Sequence, residues 1–358
     1  MHEMRFLFEP AETKDQEEIL DLFRVPMAGS ISLALERDPD YFAGALVQNV
    51  HPSVFVGRDT LNGRITGLFS VGTRPVFVNG EVQEIPYFCD LRIHKDYQNG
   101  TLLARGYKFV RQELLRERYA QTLIVSDNDR AIASLTGGRA GLPVYYPFGQ
   151  YTTFALPRRP LKRMHPVRRA TEEDLPQMQK FVLSTGKARQ FFPVYDLRPG
   201  SAHFHGVSVK DFFLAIEGDR IKGMCGVWNQ KSFKRTRLVS YSPLLRFVRP
   251  LYNVLSRLRG GILLPPAGEI LDYSFLHCIL VEGNDASVLT SLLSAIFDAE
   301  DLRCSYFLMG LDARDPLTAS VKGIPYRAFH GLHFLVSGGE DPRSSLNSGT
   351  FYLEAARI

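Results

Sequence analysis

Asp90 closes a short apolar run, Phe88-Cys89, and stands directly before Leu91-Arg92-Ile93. A carboxylate at the end of a strand is a natural acceptor for the proton that a substrate ammonium must lose, and burial among apolar neighbours raises its pKa towards a useful range. Asp90 is therefore the candidate general base. Further on, Gln98-Asn99-Gly100-Thr101-Leu102-Leu103 leads into a helical pattern with Leu103, Tyr107, Val110 and Leu114 on one face. A loop ending at a helix N-terminus offers free backbone N–H groups to a phosphate, and Lys95, Arg105 and Lys108 add favourable charge. Of the small positions in this loop only Gly100 is glycine, which limits how closely a ligand can approach. Two phenols, Tyr145 and Tyr146, are candidates to return a proton to a leaving group; aromatic packing, or proton delivery through water, are the alternatives.

Other groups point away from redox and metal chemistry. His203-Phe204-His205 and His330-Gly331-Leu332-His333 lack a third ligand at a recognisable spacing, so no metal is expected. The four cysteines lie far apart without a CxxC pair, which fits a reducing cytoplasm. The start of the chain carries Glu3 and Glu9 and does not read as a signal peptide.

The elements that must position these residues come in two copies. Arg64, Ile65, Gly67 and Val71 recur as Arg220, Ile221, Gly223 and Val227, each 156 positions on. Leu91 and Asn99 recur as Leu276 and Asn284 at 185, Asp129, Ala133 and Ser134 as Asp315, Ala319 and Ser320 at 186, and Gly141 and Pro143 as Gly323 and Pro325 at 182. The order is kept, which indicates duplication. Each copy opens on a Thr-capped helix (Thr13, Thr171), continues through a hairpin turning at Asn62-Gly63 or Gly218-Asp219, and closes on a strand. The pattern is α+β: two tandem domains, each a twisted, mixed and mainly antiparallel sheet flanked by helices. The expected division is 1–156, a basic Pro-rich linker at 157–166, and 167–358.

The jump in offset from 156 to 185 coincides with a stretch, residues 230–268, that holds eight Lys/Arg and no Asp or Glu, so the second copy carries a basic insertion at about 231–268. Within it Leu244, Leu245, Phe247, Val248, Leu251, Tyr252, Val254, Leu255 and Leu258 interleave with arginines, and Pro250 is expected to kink or break any helix. Such a segment can cap a domain seam with its arginines outward, make peripheral contact with an anionic membrane through 244–259, or touch nucleic acid. The seam is the leading reading and nucleic acid the least expected partner.

The segment from Leu91 to Gly100 resembles the central motif of the GNAT superfamily of N-acetyltransferases, in which a strand passes through a His-x-Asp-Tyr-like turn into a phosphate loop and a long helix. Val125-Ser126-Asp127-Asn128 followed by Ala131 resembles the next motif of that family. The resemblance covers roughly 4–156 and extends weakly over 167–337. It departs from the family where the loop has Thr101 and Leu103 at positions that are glycine or alanine there, and where Leu135 stands at the usual tyrosine position.

The resemblance implies an acetyl-CoA-dependent N-acyltransferase that moves an acetyl group to a primary amine by direct attack, with acetyl-CoA as co-substrate and a small-molecule or peptide amine as acceptor. Backbone groups of Leu91, Arg92 and Ile93 would meet the pantetheine arm, Gln98, Asn99, Gly100, Thr101, Leu102 and Leu103 would hold the phosphates, and Asn128 would bond to the pantetheine or to the adjoining loop. Two other readings stay open: a Fem-type transferase that takes aminoacyl-tRNA, and a non-catalytic CoA- or ligand-binding tandem module. In the second copy Glu282 and Asp285 would set two carboxylates against the pyrophosphate, so that half is expected to be degenerate and supporting.

Overall fold

A computed structural model describes residues 5–27, 30–49, 51–98, 101–113, 115, 119–138, 142–198 and 200–358. The first half contributes strands β1 (Phe6–Pro10), β2 (Ile31–Glu36), β3 (His51–Asp59), β4 (Ile65–Val78), β5 (Glu81–Ile93), β6 (Tyr119–Val125) and β7 (Val144–Pro157). Its helices are α1 (Gln16–Arg24), α2 (Tyr41–Gln48), α3 (Leu102–Glu113) and α4 (Asp129–Thr136). The second half adds β8 (Val167–Arg169), β9 (Arg189–Gln190), β10 (Phe212–Glu217), β11 (Arg220–Trp228), β12 (Arg235–Tyr241), β13 (Tyr273–Val281), β14 (Tyr306–Asp312), β15 (Arg327–Ser337) and β16 (Thr350–Phe351). Its helices are α5 (Leu175–Gly186), α6 (Pro243–Leu258) and α7 (Ala286–Asp298).

A single 12-stranded sheet runs β1-β3-β4-β5-β6-β15-β7-β14-β13-β11-β10-β8. Read from its two ends inward, the order is the same path taken twice. The two halves exchange closing strands: β7 pairs with β14 over Tyr151–Pro157, while β15 pairs with β6 over Gly331–Ser337 and with β7. The two sheets expected from the duplication are thus fused into one, mainly antiparallel, with β5·β6 and β13·β14 as its parallel pairs.

The repeated layout extends to its irregularities. The β3–β4 ladder slips at Gly57/Arg58 and the β10–β11 ladder at Ala215/Ile216, at matching places relative to Gly67 and Gly223. A second bulge opposes β4 to β5 and β11 to β13, and it turns Asp90 (φ 55) and Cys278 (φ 50) into the left-handed region. Because Gly67 faces Ile93 and Gly223 faces Val281, the structural partner of Leu91 is Ile279, three residues past the Leu276 that sequence identity suggests. The loop to the following helix is shorter in the second half, which brings the registers back together by the start of α7.

Helix starts hold up only in part. Thr171 and Asp174 form the expected capping box ahead of α5, whereas in the first half the box is Glu12 with Asp15, not Thr13. Leu102, Tyr107 and Val110 are the buried residues of α3, and Leu114 lies outside the described residues. Helix α6 passes through Pro250 without breaking. Pro250 is exposed, so the carbonyl it leaves unbonded can be hydrated.

Candidate active site

Strands β5 and β6 meet at one pair, Tyr87 opposite Gln121, and part beyond it. Thr122 Oγ1 donates to Phe88 O at 2.9 Å and marks the apex of the gap. Past that point the edge of β5 that faces β6 has no ladder, so its backbone borders an open cleft. The cleft enlarges into a cavity of about 380 Å³ lined by β4, β5, α3, β6 and α4.

Three zones differ in chemistry. At the splay lie Leu91, Arg92, Ile93, Leu102, Leu103, Val125 and Asn128. Beneath α3 the wall is apolar: Phe69, Phe88, Val110 and Leu135 surround Tyr107 and Tyr145, whose hydroxyls bond to each other. On the other side of the bulge the wall is charged, with Arg37, Asp90, Arg92 and Lys234, and Ile358 beside them.

Asp90 accepts from Arg37 Nη2 at 2.8 Å and from Tyr41 Oη at 3.2 Å, while Tyr41 also shares a 2.7 Å hydrogen bond with Ser70. Burial pushes the Asp90 carboxyl up, but the Arg37 charge and hydrogen bond, with Arg92 and Lys234 beyond, outweigh it and hold the group below its ordinary value. The raised pKa expected from apolar neighbours is not found. Arg37 arrives from the end of β2, which sequence proximity could not reveal.

Lys234 has the reverse balance. Burial first, then the positive charge of Arg37, depress its ammonium to about 7, although Asp90 pulls the other way. Its Nζ donates to Ile358 O at 2.5 Å, so both residues come from the second half to complete a wall of the first-half cleft. In the sequence Lys234 is one of many cations in an acid-free run and nothing distinguishes it.

The remaining expectations divide. Leu91, Arg92, Ile93, Leu102, Leu103 and Asn128 line the cavity; Asn128 also caps α4, accepting from Ala131 N at 3.1 Å. Gln98 does not line it and bonds instead to Ile93 O and Arg130. Thr101 is exposed at the start of α3, away from the lining. Asn99 and Gly100 lie outside the described residues. Tyr145 lines the cavity but Tyr146, its neighbour on β7, points the other way and donates to Gly339 O at 3.1 Å. Tyr146 therefore does not meet the cavity that was expected to hold the leaving group.

In the second half the matching cleft is filled by the chain itself. At the bulge, Cys278 N donates to Glu354 Oε2 at 2.8 Å and Ile279 N to Tyr352 Oη at 3.2 Å. Tyr195 and Tyr352 also donate to Glu354 Oε2, and β16 pairs with β9 alongside. The two acids noted in the sequence are both engaged by protein groups: Asp285 accepts from Ser287 N at 2.8 Å at the start of α7, and Glu282 pairs with Arg220 and Lys222.

The fold as a whole aligns with known structures. Saccharomyces cerevisiae N-myristoyltransferase with bound myristoyl-CoA aligns over 96% of this chain and 86% of its own, with a TM-score of 0.58 at 12% identity. The chain has a GNAT-type fold in a tandem-like arrangement. A GCN5-related N-acetyltransferase from Anabaena variabilis aligns over 92% of this GNAT-fold chain and 72% of its own, with a TM-score of 0.52 at 9% identity. No family model and no curated protein matches the sequence. At these identities the likeness concerns the fold.

Proposed function

We propose that the chain is an acyl-CoA-dependent N-acyltransferase whose first half, within 1–156, holds the CoA thioester. The observation that carries this reading is the parting of β5 from β6 past Tyr87 and Gln121, which leaves strand backbone facing a cavity that ends at the N-terminal turn of α3. A pantetheine arm can take the place of the missing strand there, and its thioester carbonyl can accept from β5 N–H groups as negative charge develops. The second half, 167–358, is supporting in this reading: the equivalent N–H groups at Cys278 and Ile279 are already bonded to Glu354 and Tyr352.

In the chemistry we infer, an acceptor ammonium enters from the charged wall and loses a proton to neutral Lys234 Nζ. The amine nitrogen attacks the thioester carbonyl carbon, the C–N bond forms and the C–S bond breaks. The thiolate takes a proton from Tyr145, replaced by the one the nitrogen sheds. Burial keeps the Tyr145 phenol well above its ordinary pKa, hence protonated. Asp90 positions rather than titrates: paired with Arg37, it fixes the bulge and its charge attracts an ammonium.

Acetyl-CoA is the donor implied by the motif. The apolar wall of Phe69, Phe88, Val110 and Leu135 supports a longer acyl chain. Thiol release measured with acyl-CoA from two carbons upward and a panel of primary amines tests both. No turnover with any thioester would sink the enzymatic reading, and a peak at acetyl would sink the longer chain.

A further inference from the structure

Helix α6 packs with its polar side inward. Tyr252 Oη donates to Ile262 O at 3.0 Å and accepts from Arg327 Nε at 3.1 Å. Asn253 holds Leu264 by two bonds, and Arg249 reaches Pro265 O. The opposite side is a continuous apolar stripe, Leu244, Phe247, Val248, Leu251, Val254, Leu255 and Leu258, at i, i+3, i+4 and i+7 spacing. It is bare: Phe247 is 84% exposed, Leu258 80% and Leu244 74%. Of the expected seam cap, the outward arginines are present at 246, 257 and 259, but the apolar side that should cover a seam faces solvent. A helix that spends its polar groups on the protein and shows its leucines to solvent is built for an apolar partner.

The charges around the stripe choose that partner. At about 100° per residue, Arg246 and Arg257 fall on one border of the stripe and Arg259 on the other. All three are exposed, and residues 230–268 contain no acid. Two copies packed stripe to stripe would bring these arginines together with no carboxylate of the segment to pair them. A layer with an apolar interior and anionic headgroups satisfies both features at once. Among the described residues no helix is long and apolar enough to cross a membrane, which leaves lying in its surface.

We propose that α6 docks in the plane of an anionic lipid surface, with its leucine stripe in the acyl region and its flanking arginines at the headgroups. The placement bears on the cleft. Ser242, the N-cap of α6, donates its N–H to Ser30 O at 2.8 Å, and Met27, three residues before, lines the cavity. The docked helix therefore holds one wall of the cavity beside the lipid.

Flotation of the full chain with phosphatidylcholine vesicles, with and without phosphatidylglycerol, tests this. Binding is expected only with phosphatidylglycerol, to weaken with salt, and to fall at least about tenfold in Phe247→Glu/Leu251→Glu. Both side chains are exposed, and unchanged thermal unfolding and CoA affinity would confirm that the variant is folded. No wild-type binding to the anionic vesicles would overturn the proposal without reference to any variant. So would equal binding by the variant, or a wild-type dimer in sedimentation that the variant dissolves without vesicle binding.

Discussion

Glu354 takes the Cys278 backbone N–H at 2.8 Å, at the bulge position that Asp90 holds in the first half. Two copies of one strand bulge therefore meet different fates: one opens on a cavity and the other is closed by the chain's own residues 350–357. Glu354→Ala would leave Cys278 N and the Tyr195 and Tyr352 hydroxyls without their acceptor. Each lost bond costs about 1–3 kcal/mol, so the variant is expected to unfold at clearly lower denaturant, with Glu354→Gln milder. Equal stability of the alanine variant would contradict the account of the plug.

Arg37 and Asp90 form a nearly solvent-free pair, with side chains 5% and 12% exposed. Asp90→Asn strands the guanidinium and is expected to destabilise the fold by about 3–5 kcal/mol. The pH dependence has a definite sign. Because the folded carboxyl lies below its ordinary value, the pair's contribution is present above that value and lost as pH falls through the folded one. Chemical denaturation of wild type and variant from neutral to acid pH should show the gap closing.

Lys234 is predicted to set the acid limb of the rate. With its ammonium depressed to about 7, kcat/KM should rise as pH passes that value, and Lys234→Met should lose the limb and about a hundredfold or more of the rate at neutral pH. Stability supplies a second readout. The folded value lies below the ordinary one, so the unfolded chain holds the extra proton between them, and the stability of wild type relative to the variant should rise with pH from about 7 towards 10.5. A limb unmoved in Lys234→Met would remove it as the base.

Val110→Trp, on the buried face of α3, should fill the apolar zone. Activity with long-chain thioesters is expected to fall at least about tenfold relative to acetyl-CoA. A uniform loss across chain lengths would mean that the zone does not hold the acyl group.

Much of the fold was legible because it is written locally. Gly67 and Gly223 sit in matched hairpins, so the 156-residue spacing reported a real register. Leu91 and Leu276 did not, since in an apolar strand one leucine is easily mistaken for the next. The exchange of β7 and β15 was invisible: each reads as a closing strand, and a strand's own pattern does not name its neighbour. The site followed the same division. The motif put Leu91 to Ile93, Leu102, Leu103 and Asn128 on the cavity wall. Asp90 was found but its ionisation was misjudged, because Arg37 is brought to it only by the tertiary fold. Tyr145 and Tyr146 were inseparable until β7 assigned them to opposite faces.

Calorimetric titration of the folded chain with CoA and acyl-CoA thioesters tests the central claim most directly. The account predicts one site per chain, with affinity falling sharply when Leu103→Trp blocks the splay and unchanged in Glu354→Gln. No heat at millimolar ligand, two sites per chain, or full binding in Leu103→Trp would contradict it.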